Sequence, residues 1–481
     1  MDADIRKLVI QIIIISVVFI YLTRLFYIQV IDRTSASEIR KKEVRAPRGL
    51  IKDRNGLVVV ANQPMYDLML IAKDLKAFDT LLFCDLIGMD KSNFLEKIDR
   101  AKKLPYKPFL FKRQLDFREY AIVQEEIHEF PGFYSVSQTK RVYPFHSAAH
   151  VLGYVGKVDS SEILEFKGVY NDQDFIGKTG LESTYETYLK GEKGEEWLLY
   201  DVHNRVKGKY NSGEKDKLPM PGFNLITSLD IELQNYGEAL MRNKRGSVVA
   251  IEPSSGEILA FISSPNYDPS VMVGGKRGEM FDKLKKDTLK PLFNRPVMAM
   301  YPPGSTFKTI MSLIGLEEEA IKPKTKYKCN GLSKIPGIVT CHDHDKVKGV
   351  RDAIRFSCNN YYSFLMKDHF ALEKFTNASK AYDNWFEYAS SFGLGKKLTQ
   401  EFPFESKGNL PKKGYYDKLY GKGRWKAPTI ISLSVGQGEL LMTPIQIANV
   451  FSAIANRGYY IKPHLVKWLE LENGTKKIDF D

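Results

Sequence analysis

Cysteine is scarce in this chain: there are four in 481 residues, Cys84, Cys329, Cys341 and Cys358. That is too few to build a disulfide-held domain of this size. No internal repeat of 20 to 50 residues is visible, which argues against a solenoid or propeller. No finger, RNA-recognition or helix-turn-helix signature gathers the scattered basic residues, so nucleic acid is not an expected partner. There is one long apolar run near the start and no second one, so more than 400 residues are expected on one side of any membrane the first run crosses.

The composition that is present is ordinary for a globular chain, 43% hydrophobic and 27% charged. The length suits two or three domains. A net charge of +13 fits a solvated basic surface, or one that faces anionic headgroups or an anionic polymer near a membrane. Leu8 to Leu22 is apolar apart from Gln11 and Ser16, and the character resumes after Arg24 through Ile31. This stretch is long enough to cross ~30 Å of hydrocarbon, with Arg24 snorkelling near one end. It lacks an Ala-x-Ala site, which favours an uncleaved anchor over a signal peptide. Flanking charge does not decide orientation, because Arg6 and Lys7 precede the run while Arg33, Arg40, Lys41 and Lys42 follow it.

Asn55-Gly56 before Leu57–Ala61 predicts a turn and a strand. Helical periodicity runs over Phe94–Leu104 and Phe117–Phe130. Lys, Gly and Pro concentrate at Lys207–Pro221, where a domain boundary is expected. Beyond it, a strand at Asn224–Asp230 precedes a helix near Ile231–Lys244. A hairpin then joins Gly246–Glu252 to Glu257–Ser263 across Pro253–Gly256. From Thr306 onward helical patterns dominate.

Three short segments point to chemistry. Tyr301-Pro302-Pro303-Gly304 leads into Ser305-Thr306-Phe307-Lys308, with a hydroxyl and an amine three residues apart on one helix face. That is the smallest arrangement for an activated serine, although a lone Ser-x-x-Lys is common on solvated helices. Ser357-Cys358-Asn359 offers a hydroxyl for proton relay and a carboxamide to hold a lysine, though alone it reads as a helix N-cap. Ser434 to Thr443 contains Gly436-Gln437-Gly438, a Gly-rich turn before a helix at Ile445–Asn456.

With these segments in order, the chain resembles the class B penicillin-binding proteins of the elongation type. Arg48–Arg54, Arg141-Val142-Tyr143-Pro144, His150–Gly156 and Gly177–Glu182 resemble the family's pedestal, and the three segments above its transpeptidase domain. The resemblance implies an α+β multidomain fold. It comprises a transmembrane helix (1–32), an elongated β-rich pedestal of the dimerisation type (33–215), and a serine β-lactamase/transpeptidase-like α/β domain (216–481). It also implies a peptidoglycan D,D-transpeptidase that acts in cell-wall elongation and cell shape. Ser305 would attack the penultimate D-alanine carbonyl of a stem peptide, and Lys308 would be the general base. Ser357 would relay a proton to the leaving group, and Asn359 would bind substrate and position Lys308. β-Lactams would acylate Ser305. No catalytic cofactor is implied. The implied partners are stem peptides, a polytopic glycosyltransferase and other cell-elongation proteins. The implied location is the inner (cytoplasmic) membrane, single-pass, with the catalytic domain on the periplasmic or outer side.

One departure stands out. The family's Lys-Thr-Gly strand is expected after Gly438, yet the chain's sole Lys-Thr-Gly is Lys178-Thr179-Gly180, in the pedestal-like region, where a structural turn is expected. The missing strand would carry an oxyanion-hole donor, a loss worth roughly 10²–10³ in rate. Five sheet strands are implied and only the Gly246–Ser263 hairpin is evident, so the domain reads as incomplete. This leaves open an impaired form acting as a scaffold for cell-wall synthesis partners. A β-lactam sensor or β-lactamase is disfavoured by the long region before Ser305.

Cys329, Cys341, His344 and Cys358 gather around the same region. They could hold a structural zinc, Cys329 and Cys341 could pair as a disulfide, or the thiols could be free.

Overall fold

The computed structural model describes residues 3–31, 38–171, 174–201, 206–274, 277–329, 339–471 and 474–477. Arg33 and the expected end of the anchor at residue 32 lie outside the described residues. Ala3–Phe26 is an α-helix continued by a π-helical turn, Tyr27–Ile31. Within it, Lys7–Val30 is long and apolar enough to cross a membrane, and it is the sole such segment among the described residues.

By internal contacts the chain divides into two compact units. The first comprises residues 1–49, 62–140 and 190–222. Its core is built on phenylalanine: Phe83, Phe94, Phe111, Phe130 and Phe133 are buried, with Phe83 and Phe133 ring centroids 4.4 Å apart. The helices over that core, Lys91–Lys102 and Phe117–Glu126, fall where periodicity predicts them. Asp116 caps the second in a reciprocal box with Glu119, satisfying backbone donors that a helix start leaves open. A three-stranded antiparallel sheet, Glu38–Val44, Gly194–Tyr200 and Val206–Lys209, belongs to the same unit.

The second unit comprises residues 50–61, 141–189 and 223–481. The Asn55-Gly56 turn folds Ile51 antiparallel to Val60. Leu225 and Ile226 pair in parallel with Ile51 and Lys52, and on their other side pair antiparallel with Val466–Leu471. That last strand and Gly474–Lys477 form a hairpin near the C-terminal end, where helical patterning had been the expectation. The Asn473-Gly474 dipeptide is the hairpin signal in the sequence. The expected hairpin is observed as Gly246–Ile251 and Ile258–Ser264, a two-stranded sheet among the described residues. Helix Ile231–Leu240 lies on it: Gln234 accepts from Phe261 N at 2.7 Å and donates to Phe261 O at 3.0 Å.

Buried polar groups hold the segment 141–189 within this unit. Arg141 Nε donates to Glu182 at 2.8 Å. Glu401 accepts from the backbone of Leu465 and Val466, and from Tyr185 Oη at 3.2 Å. Burial raises its pKa to about 7, against the pull of those donors. A separate apolar cluster, with Phe307, Ile310, Met311, Tyr362, Leu365 and Trp385 at its centre, packs the helices that carry Ser305, Lys308 and Asn359.

Candidate active site

Pro302 and Pro303 bring the chain into a 3-10 turn, Gly304–Phe307, which passes into α-helix Lys308–Glu317. A 3-10 turn eclipses residues i and i+3, so Ser305 and Lys308 share a face more closely than in an α-helix. Gly304 takes φ +59° and donates to Gly436 O at 2.8 Å. Gly436 takes φ +70°, and a Cβ there would lie 2.2 Å from Gly304 O. Only glycine permits that approach. The Gly436-Gln437-Gly438 segment therefore buttresses the loop that presents the serine.

Ser305 is exposed and Lys308 is 2% exposed. Lys308 Nζ donates to Ser357 O at 2.6 Å, to Asn359 Oδ1 at 2.7 Å and to Ser357 Oγ at 2.9 Å. Three acceptors meet the three protons of an ammonium group. Ser357 Oγ in turn donates to Ser305 Oγ at 2.7 Å. The amine thus reaches Ser305 through a second hydroxyl, a link the spacing of Ser305 and Lys308 does not reveal. Burial lowers the Lys308 pKa to about 8, with the Cys341 and Cys358 thiols pulling the other way.

Ser357 sits between helices Val350–Arg355 and Asn359–Phe370 at φ +51°, a backbone region that non-glycine residues seldom occupy. Cys358, rather than Ser357, is the N-cap of the second helix, its Sγ accepting from Tyr361 N at 3.4 Å. This frees both Ser357 oxygens for Lys308. Asn359 Nδ2 donates to Thr340 O at 2.8 Å, which fixes the amide with its oxygen toward Lys308.

The four expected metal ligands come together behind this site. One ligand atom from each of Cys329, Cys341, His344 and Cys358 lies within 4.8 Å of the others. His344 Nε2 is 3.4 Å from the sulfurs of both Cys329 and Cys341, and the Cys341 and Cys358 sulfurs are 3.9 Å apart. A tetrahedral ion with Zn–S of about 2.3 Å and Zn–N of about 2.0 Å spaces its ligands by roughly 3.5–3.8 Å. His344 Nδ1 donates to Asp345 O at 2.7 Å, directing Nε2 at the sulfurs. None of the four cysteines forms a disulfide. Burial would raise the Cys341 pKa, but backbone donors from Asn360 and Asn359 and contacts from His344 and Cys329 bring it down to about 7. The donor set therefore fits zinc.

Lys178-Thr179-Gly180 lies elsewhere in this unit. Lys178 Nζ bonds Glu162 at 2.7 Å, and Gly180 packs where a Cβ would be 2.4 Å from Val151 O. This is a close crossing of two backbones.

Residues 43–227 match the family "Penicillin-binding Protein dimerisation domain". Residues 246–479 match the family "Penicillin binding protein transpeptidase domain". Two similar relatives are named peptidoglycan D,D-transpeptidase MrdA. The one from Acinetobacter baumannii is 30% identical over 93% of this chain and 66% of its own length. The one from Salmonella typhimurium is 30% identical over 93% of this chain and 71% of its own. The chain thus spans about two thirds of the length of these curated relatives. Among solved structures, the complex of penicillin-binding protein PBP2 with MreC from Helicobacter pylori aligns with a TM-score of 0.71 at 23% identity, over 92% of this chain and 81% of that one. A chain of a peptidoglycan synthase complex, described as coordinating polymerization and crosslinking, aligns with a TM-score of 0.70 at 25% identity, over 99% and 82%.

Proposed function

This chain belongs to the class B penicillin-binding proteins of the elongation type, and from that premise we propose that it is a peptidoglycan D,D-transpeptidase working through an acyl-serine at Ser305. The observation that carries the reading is the hydrogen-bonded path from Lys308 Nζ through Ser357 Oγ to Ser305 Oγ. Two of the acceptors around Lys308, Ser357 O and Asn359 Oδ1, can only accept. A neutral lysine would spend its two protons on them, leaving its lone pair aimed at Ser357 Oγ. The Ser305 proton then passes to Ser357 Oγ while the Ser357 proton passes to Lys308. Ser305 Oγ bonds the penultimate D-alanine carbonyl carbon, and the amide C–N bond breaks. Lys308 then returns its proton to Ser357 Oγ, which passes its own to the departing amine of the terminal D-alanine. A second amine, from a neighbouring stem peptide, resolves the ester and forms the cross-link. A site assembled to this degree argues for an enzyme over a scaffold.

The proposed division of labour assigns residues 1–32 to a single-pass inner-membrane anchor, 33–215 to the pedestal and 216–481 to catalysis on the outer face. Likeness to a PBP2 in complex with MreC and to a chain of a peptidoglycan synthase complex supports partners in cell-wall synthesis; the family resemblance adds a polytopic glycosyltransferase in the membrane. Cys329, Cys341, His344 and Cys358 would hold a structural zinc. When bound, that ion would tie Cys329, Cys341 and His344 to the Ser357–Asn359 junction, where Cys358 lies. Fluorescent penicillin tests the function: the full chain in detergent should be labelled covalently, and Ser305→Ala should abolish the label. A folded wild-type chain that takes no label would refute the proposal.

A further inference from the structure

Lys308 is held from one more direction than its hydrogen bonds describe. Tyr362 follows Asn359 by three residues on the same helix, so both side chains face the lysine. The Tyr362 ring centroid is 5.7 Å from Lys308 Nζ, within cation–π range. Its hydroxyl is 2.8 Å from Ser312 Oγ, and Ser312 Oγ donates its one proton to Lys308 O at 2.9 Å. Tyr362 must therefore be the donor to Ser312. Both residues are buried, Tyr362 at 0% and Ser312 at 2% exposure. Burial pushes the Tyr362 pKa up, so the hydroxyl stays protonated.

We propose that Tyr362, with Ser312, is a positioning residue for the acylation reaction, its ring bracing Lys308 Nζ and its hydroxyl tying the lysine's own backbone to the Asn359 helix. The proposal rests on the transpeptidase reading above. Neither residue touches Ser305. A purely packing ring would need no hydroxyl, and this hydroxyl is used on the one serine that bonds the Lys308 carbonyl. The relay tolerates little slack, since a displacement of about 1 Å can cost roughly 100-fold in rate.

The test compares Tyr362→Phe, Tyr362→Leu, Tyr362→Met and Ser312→Ala in the full chain in detergent. The reversible binding constant for a fluorescent penicillin is separated from the first-order acylation rate. Leu and Met should slow acylation by about tenfold or more with binding unchanged, and Phe, which keeps the ring and loses only the hydroxyl tie, by about threefold. Ser312→Ala should slow acylation by about threefold or more. Folded Leu or Met variants that acylate as fast as the Phe variant would overturn the proposal. Should neither fold, Ser312→Ala decides, and a wild-type rate there overturns it. A wild-type chain that takes no label would instead remove the transpeptidase reading, and this proposal with it.

Discussion

Ser357 Oγ donates to Ser305 Oγ at 2.7 Å from a residue held at φ +51°. The left-handed backbone turns the Ser357 carbonyl and hydroxyl toward the same lysine, at 2.6 and 2.9 Å. One strained residue thus supplies both an acceptor that orients Lys308 and the hydroxyl that links it to Ser305. Such strain persists where the surroundings over-determine it, and here Asn359, Thr340 and Cys358 do so.

Replacing Ser357 with alanine keeps the backbone demand nearly the same and removes the relay. Acylation by penicillin is expected to fall by roughly 10²–10⁴, the usual worth of a positioned proton-transfer group. Thermal stability should barely change, because Lys308 keeps two acceptors. Stopped-flow acylation beside thermal melts checks this, and an acylation rate near wild type would place the proton path elsewhere.

The pH dependence follows from the Lys308 pKa of about 8. Below that pH the amine is protonated and cannot accept the Ser357 proton; above it the lone pair is available. The acylation rate should therefore rise with pH and reach half its plateau near pH 8. A rate–pH profile between pH 6 and 10 reads this directly. A profile with no ascending limb in that range would remove Lys308 as the base.

The residues proposed to react were legible as candidates because they sit in short segments whose spacing survives folding: Ser305 to Lys308 within one turn, Ser357 to Asn359 at a helix start. Cys329, Cys341, His344 and Cys358 were legible as a group from their nearness in sequence, which left a zinc site, a Cys329–Cys341 disulfide and free thiols all open; their convergence within 4.8 Å appears only in the fold. What spacing could not show is that Ser357 stands between Ser305 and Lys308, because that contact joins positions 52 and 49 residues apart. The Gly304–Gly436 approach and the Tyr362–Ser312 bond were hidden in the same way. The Val466–Leu471 strand carried a readable turn signal at Asn473-Gly474, but its partner Asn224–Thr227 lies more than 200 residues earlier in the chain.

Gly436→Ala tests the buttress. A Cβ would meet Gly304 O at 2.2 Å, and φ +70° adds strain of its own. Strain at such a position costs about 1–3 kcal/mol. The clash falls on the residue before Ser305, so acylation should drop more than melting temperature. Gly438→Ala, where the nearest atom is the Ser432 hydroxyl at 2.5 Å, gives a side chain room to move and should be milder. Equal effects in both variants would count against the buttress.

The cysteine cluster predicts one zinc per chain, measurable by elemental analysis of protein purified without chelator. At free zinc about a hundredfold above the dissociation constant, binding adds about 2.7 kcal/mol to stability. Chelation, or Cys329→Ser, should lower the melting temperature accordingly. It should also slow acylation, since Cys358 lies between Ser357 and Asn359. Protein that melts identically with and without chelator would leave these thiols without a metal role.

Lys178 provides the contrast. It shares its tripeptide with the family's substrate-binding strand, yet its Nζ is 2.7 Å from Glu162 and 3.6 Å from Asp159, with the side chain 13% exposed. Lys178→Met keeps the apolar stem and leaves Glu162, itself 21% exposed, to water and its helix cap. Breaking a partly solvated pair of this kind costs about 1 kcal/mol or less. The variant should therefore melt slightly earlier and take fluorescent penicillin at the wild-type rate. If labelling were lost while the fold held, the tripeptide would have to reach the substrate, and the backbone crossing of Gly180 with Val151 could not be its whole purpose.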